Sequence, residues 1–136
     1  MRMRPWSLGV LLVSSCFIVA GGWAGEPAKG PTPHVIRLDA GGKDYVPVLS
    51  GPPETVTMHS GLVALAPGKS VGKHSTKYNE EMLVILEGKG EYRIEGGPTL
   101  TAQAGDAVYC PPRREHDMVN VGTGVLRYVY IVAKAG

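Results

Sequence analysis

Nowhere in the sequence do apolar residues recur at helical spacing between capping residues, which excludes a helix bundle or any architecture carried by long amphipathic helices. Cysteine is scarce as well: only Cys16 and Cys110 occur. Once the first 24 residues are removed, as argued below, Cys110 stands alone, so no intrachain disulfide can form and stability has to come from a core. Cys110 itself reads as a small apolar strand residue. A surplus of positive charge is lacking too. The chain has 14 Lys and Arg against 12 Asp and Glu, and Arg2 and Arg4 account for the whole difference. The remainder is balanced, which excludes electrostatic capture of nucleic acid.

What the chain does have is glycine and proline, 19 and 11 of them, spread throughout its length. With 43% hydrophobic residues and room for one domain, that distribution predicts many short strands joined by tight turns around a real core.

The first 24 residues read as a secretory signal. Arg2 and Arg4 precede an apolar run from Trp6 to Ala20, which ends in the small residues Gly21, Gly22, Ala24 and Gly25. Cleavage after Gly22 or Ala24 fits. The alternatives are an uncleaved anchor, since the run nearly reaches the length of a span, and lipidation of Cys16, because Val13-Ser14-Ser15-Cys16 resembles the bacterial lipobox. In each case the protein is exported, to the periplasm or the medium, and only the last two leave it at a membrane. Residues 25–34 form a Pro/Gly-rich linker, and residues 35–136 the folded domain.

Strands are predicted over Val35–Leu38 as a short edge, Tyr45–Leu49, Thr55–Met58, Gly61–Ala66, Met82–Glu87, Glu91–Glu95, Thr99–Ala102, Ala107–Cys110, His116–Val121 and Val125–Val132. Met82–Glu87 and Glu91–Glu95, joined by Gly88-Lys89-Gly90, read as a hairpin. So many short strands at intervals near ten residues point to an all-β sandwich or barrel, a jelly roll among the options.

Two stretches carry chemistry. The first is Gly68-x5-His74-x-Thr76-x4-Glu81-x6-Gly88; the second is Gly105-x5-Pro111-x-Arg113-x2-His116-x3-Asn120. They resemble the paired motifs of the cupin superfamily, in order and separated by residues 89–104 as in compact members. Two positions depart from that pattern: Thr76 stands where a second histidine is expected, and Arg113 where a turn glycine is expected. The resemblance implies a cupin-type jelly-roll β-barrel with a metal at its centre, held by His74, Glu81 and His116. Imidazole and carboxylate suit a divalent transition metal such as Fe, Mn, Ni or Zn, and two histidines with one carboxylate are a chemically complete set. Thr76, two residues from His74, is expected on the same inward face. Glu81 is expected to line the same pocket across the turn at Lys77-Tyr78-Asn79, with Leu83 and Ile85 inward beside it and Glu80 solvated. Tyr78, next to the site, is either a packing residue or a proton donor. His59, on a strand entering the barrel, matches neither motif.

The resemblance further implies a small-molecule ligand or substrate. Its chemistry would be of the oxygenase or isomerase type on a small oxygenated molecule. The alternative is a non-catalytic module binding a sugar or other small ligand without metal. It also implies a homodimer paired through sheet edges, and the run Tyr128–Val132, apolar on both faces, reads as a fully covered strand or a dimer surface.

Overall fold

The computed structural model describes residues 30–136; the reading of residues 1–24 as an export signal falls outside them. Eight strands follow one another: β1 (Tyr45–Ser50), β2 (His59–Leu65), β3 (Asn79–Glu87), β4 (Lys89–Ile94), β5 (Thr99–Gln103), β6 (Ala107–Cys110), β7 (His116–Asn120) and β8 (Leu126–Lys134). They form two sheets, β1-β2-β8-β3-β6 and β5-β4-β7, with every ladder antiparallel.

The inner faces supply the core. Val63 and Leu65 of β2, Leu83 and Ile85 of β3, and Leu126 and Tyr128 of β8 meet Tyr92 of β4 and Met118 of β7 from the second sheet. The expected two-residue alternation holds along β3: Glu81, Leu83 and Ile85 are buried, while Met82 and Leu86 face outward. Strand β8 lies between β2 and β3 at the centre of the larger sheet. A strand flanked on both edges, with Tyr128 and Val129 buried, agrees with the covered-strand reading of Tyr128–Val132.

Three expected elements differ. Val35–Leu38 and Thr55–Met58 form no strand. Val35 and Val56 are exposed, and neither segment pairs with a neighbouring strand. Met82–Glu87 and Glu91–Glu95 are not a hairpin: β3 and β4 lie in different sheets. The chain turns a corner at Gly88, whose φ of 81° suits glycine. A Cβ there would run into the Val125 carbonyl oxygen. The hairpin partner of β4 is β5, reached through Gly96-Gly97.

Candidate metal centre

The site forms where the segment before β3 crosses the start of β7. His74 and His116 exchange both backbone hydrogen bonds, at 2.9 and 2.8 Å, and their rings stand edge to face with centroids 4.6 Å apart. Each ring is oriented by a backbone carbonyl: His74 Nδ1 lies 2.8 Å from Gly72 O, and His116 Nδ1 2.9 Å from Arg114 O. A ring whose Nδ1–H donates to a carbonyl presents a bare Nε2 lone pair, the usual arrangement in a metal-binding histidine.

Glu81 enters from β3, 6% exposed, and His116 is 1% exposed. Glu81 Oε2 approaches His116 Nε2 at 2.8 Å. That approach lacks hydrogen-bond geometry, and both atoms are buried without a hydrogen-bond partner. Such atoms are costly to leave unsatisfied. Two donors bound at about 2.1 Å and at right angles around one ion would lie about 3 Å apart, close to the observed separation. His74, Glu81 and His116 together offer three donor atoms within 4.8 Å of one another. The residues present therefore fit a divalent ion. Burial pulls the His116 imidazolium down, but the Glu81 carboxylate and the Arg114 carbonyl outweigh it and hold His116 above its usual value.

Above this cluster opens a cavity of about 740 Å³ between the sheets, lined by Leu83, Thr76, Tyr92, Tyr128 and Tyr130 among others. Thr76 does line it, but its hydroxyl donates to Asn79 O at 2.9 Å and closes the turn that leads into β3. Two residues expected at the pocket lie elsewhere. Ile85 is in the core, beyond the cavity wall. Tyr78 is 68% exposed, because the turn carries it outward, and its ring lies under the Arg113 guanidinium at 5.0 Å. His59, at the outer end of β2, is exposed and does not line the cavity. Glu80 points away and accepts a hydrogen bond from Tyr109.

Three contributors carry no sequence motif. Tyr92 stacks on His116, with centroids 5.0 Å apart, and its hydroxyl is buried without a hydrogen-bond partner. Burial first, then the Cys110 thiol and Glu81, push the Tyr92 phenol far up, so it stays protonated. Cys110 is fully buried, with Sγ 3.4 Å from His116 Nδ1. Tyr130 lines the cavity, its phenol also raised by burial and then by its bond to Tyr45. For Cys110 a signal existed: β6 alternates, and Val108 and Cys110 share its inner face. The motif asparagine is structural. Asn120 donates to Leu65 O and Gly124 O and accepts from Gly122 N, tying β7 to the end of β2.

Two antiparallel sheets closing over Glu81 and His116, with the exposed His74 at the mouth, define a small double-stranded β-helix protein with a site of metal-ligand geometry. The chain belongs to the cupin family: the Cupin domain model matches residues 61–132. A Cupin 2 conserved barrel domain protein from Salinispora arenicola is similar in structure at 22% identity, with TM-score 0.63, covering 76% of this chain and 91% of that one. An RmlC-like cupin family protein from Methanocaldococcus jannaschii matches at 19% identity, with TM-score 0.63, over 77% and 94% of the two chains. Among curated proteins, the polyketide synthase CurC of Streptomyces cyaneus is 32% identical over 81 residues, 57% of this chain and 52% of the relative. The chain thus spans about half the length of that relative.

Proposed function

We propose that this cupin binds one divalent transition metal ion, Fe, Mn, Ni or Zn, through His74 Nε2, the Glu81 carboxylate and His116 Nε2, and that it acts on a small oxygenated molecule in the cavity above. The observation that carries this reading is the buried pair Glu81 Oε2 and His116 Nε2, set 2.8 Å apart and facing each other without hydrogen-bond geometry. An ion between them would satisfy both at once. In such a centre the ion supplies Lewis-acid polarisation of a bound oxygen, and, if it is iron or manganese, redox chemistry. The chain's own part is to hold the donors rigid. Gly72 O and Arg114 O fix the two imidazoles, Tyr92 braces the His116 ring, and the apolar walls keep water sparse around the ligand. Oxygenase- or isomerase-type chemistry is the reaction class this arrangement supports. The name of the curated relative, a polyketide synthase, lends support to a polyketide as one candidate ligand.

Thr76 favours a second reading. Its hydroxyl is already engaged with Asn79 O, so only three side chains converge, and a non-catalytic module binding a sugar or other ligand without metal would need no more. Metal titration by calorimetry separates the two. Stoichiometric binding that His116→Ala abolishes supports the metal protein; no uptake of any of the four ions supports the binding module.

Export and self-association belong to the same proposal. Arg2, Arg4 and the apolar run Trp6–Ala20 support a secreted or periplasmic location, and the intact mass of the secreted protein tests it. The edge strands β1 and β6, each paired on one side only among the described residues, support a homodimer, which sedimentation tests.

A further inference from the structure

Tyr45 on β1 and Tyr130 on β8 are separated in the larger sheet by β2. Their rings nonetheless stack, with centroids 6.2 Å apart and planes 10° from parallel, and their hydroxyls share a hydrogen bond of 2.8 Å. Gly61 of β2 permits this. It lies opposite Tyr130 on one side and Pro47 on the other. A Cβ on Gly61 would come within 2.7 Å of the Tyr130 ring and 2.8 Å of the Tyr45 ring. Any larger residue would push the rings off their places, so two phenols reach over the middle strand only because that strand has no side chain between them.

Both tyrosines line the cavity that opens above His74, Glu81 and His116. Two hydroxyls hold two protons, and their mutual bond uses one. The other proton and the spare lone pairs have no further partner among the described residues. The remaining polar groups of the wall are differently placed. Thr76 is spent on Asn79 O, Ser70 accepts from Gly72 N, Asp44 and Lys69 add one charge of each sign, and the free Tyr92 hydroxyl lies buried beside His116. The rest is mainly aliphatic or aromatic, including Val63, Leu83 and Met118.

We infer that the Tyr45–Tyr130 pair is a recognition subsite for an oxygen atom carried on a flat ring, so that the ligand of this cavity is an oxygenated ring compound and not a polyol. The inference rests on reading the cavity as a small-molecule site, though not on the ion below it. Aliphatic walls and phenol faces favour a ring. The spare O–H of the pair meets one ligand oxygen. A sugar would bury several hydroxyls against walls that are mainly apolar, and each one left unpaired costs about 1–3 kcal/mol.

The test uses metal-free protein and two probes that differ by one hydroxyl, 2-naphthol and naphthalene, titrated by fluorescence. Wild type should bind 2-naphthol at least about fivefold tighter than naphthalene, as one added hydrogen bond predicts. The double variant Tyr45→Phe/Tyr130→Phe keeps both rings and should bring the two probes within about twofold of each other, since neither hydroxyl remains at the subsite. Gly61→Ala should weaken both probes. Glucose, in competition with 2-naphthol, should displace nothing. Equal affinity for the two probes in wild type, a preference that survives in the double variant, or displacement by glucose would overturn the inference. The wild-type comparison decides even if a variant fails to fold. Metal titration of the same samples is scored separately: absent metal binding with the naphthol preference intact overturns the ion and leaves the subsite standing.

Discussion

His74 and His116, from motifs far apart in sequence, face each other as a reciprocal backbone pair, with hydrogen bonds of 2.9 and 2.8 Å. Two donors of the candidate centre are thereby set in register by the main chain before any ion arrives. Removing one imidazole should consequently spare the fold while removing the site, and the predictions below use that separation.

Glu81 and Glu80 are neighbours with opposite fates. Glu81→Gln replaces the only anionic donor, and metal affinity measured by calorimetry should fall at least tenfold, about 1.4 kcal/mol. Glu80→Gln removes only a surface charge and leaves an amide oxygen to accept from Tyr109, and should leave affinity unchanged. Equal losses would mean that β3 is one residue out of register in solution, with every side chain on the opposite face.

Thr76→His tests the position where the family pattern breaks. A third imidazole on the cavity wall should tighten metal binding at least tenfold, about 1.4 kcal/mol. The structure adds a cost, because the Thr76 hydroxyl closes the turn onto Asn79 O. Losing that bond should lower metal-free stability by about 0.5–1.5 kcal/mol in urea melts. A variant with unchanged metal affinity would show that position 76 does not reach the centre.

Arg113 occupies the other departure, with φ at 63°, in the left-handed region that a glycine would occupy without strain. Its guanidinium over Tyr78 offsets part of that strain, by about 0.5–1 kcal/mol. Arg113→Ala keeps the strained backbone and loses the ring contact, so it should destabilise by about that amount. Arg113→Gly relieves the backbone by about 1 kcal/mol as it loses the same contact, and should come out near neutral. Thermal melts of the pair are the measurement, and the reverse order would refute this account of the turn.

In the metal-free protein the Glu81 carboxylate holds His116 above its usual value despite burial. A raised folded value stabilises the fold fully below the unfolded histidine value of about 6.5, and this contribution is lost as pH rises through the higher folded value. Glu81→Gln lacks it. The stability of wild type relative to Glu81→Gln, from urea melts without metal between about pH 6 and 9, should therefore be greatest at the acid end and decline as pH rises. A difference that grows with pH would contradict the assigned sign.

The centre was legible because its parts are local in sequence terms. The count back from Gly88 selects Glu81 over Glu80, alternation sends Leu83 and Ile85 inward with it, and the resemblance to the paired cupin motifs picks out His74 and His116. The corner at Gly88 was not, since a left-handed glycine serves a hairpin and a sheet crossing equally well, and only the distant Val125 distinguishes them. Thr55–Met58 has strand-like composition but no neighbour to pair with. Tyr78 sits beside the motif yet points out, because direction through a turn is set by its dihedrals and not by proximity. The Tyr45–Tyr130 pair was out of reach for a different reason: strands distant in sequence bring it together across a third, and the residue that permits it, Gly61, contributes by having no side chain.

Strand β8 lies between β2 and β3, with Val132 opposite Glu81. Until the chain has been made through Lys134, the carboxylate of Glu81 has no inner face to line and the cavity has no central wall. For the proposed metal, topology would then impose the order of events: synthesis, closure of the last strand, and only afterwards ion uptake. A centre assembled in that order selects from the ions present where folding finishes, not where translation occurs. For a chain that crosses a membrane unfolded, the metal inventory of the destination compartment would decide which ion it carries.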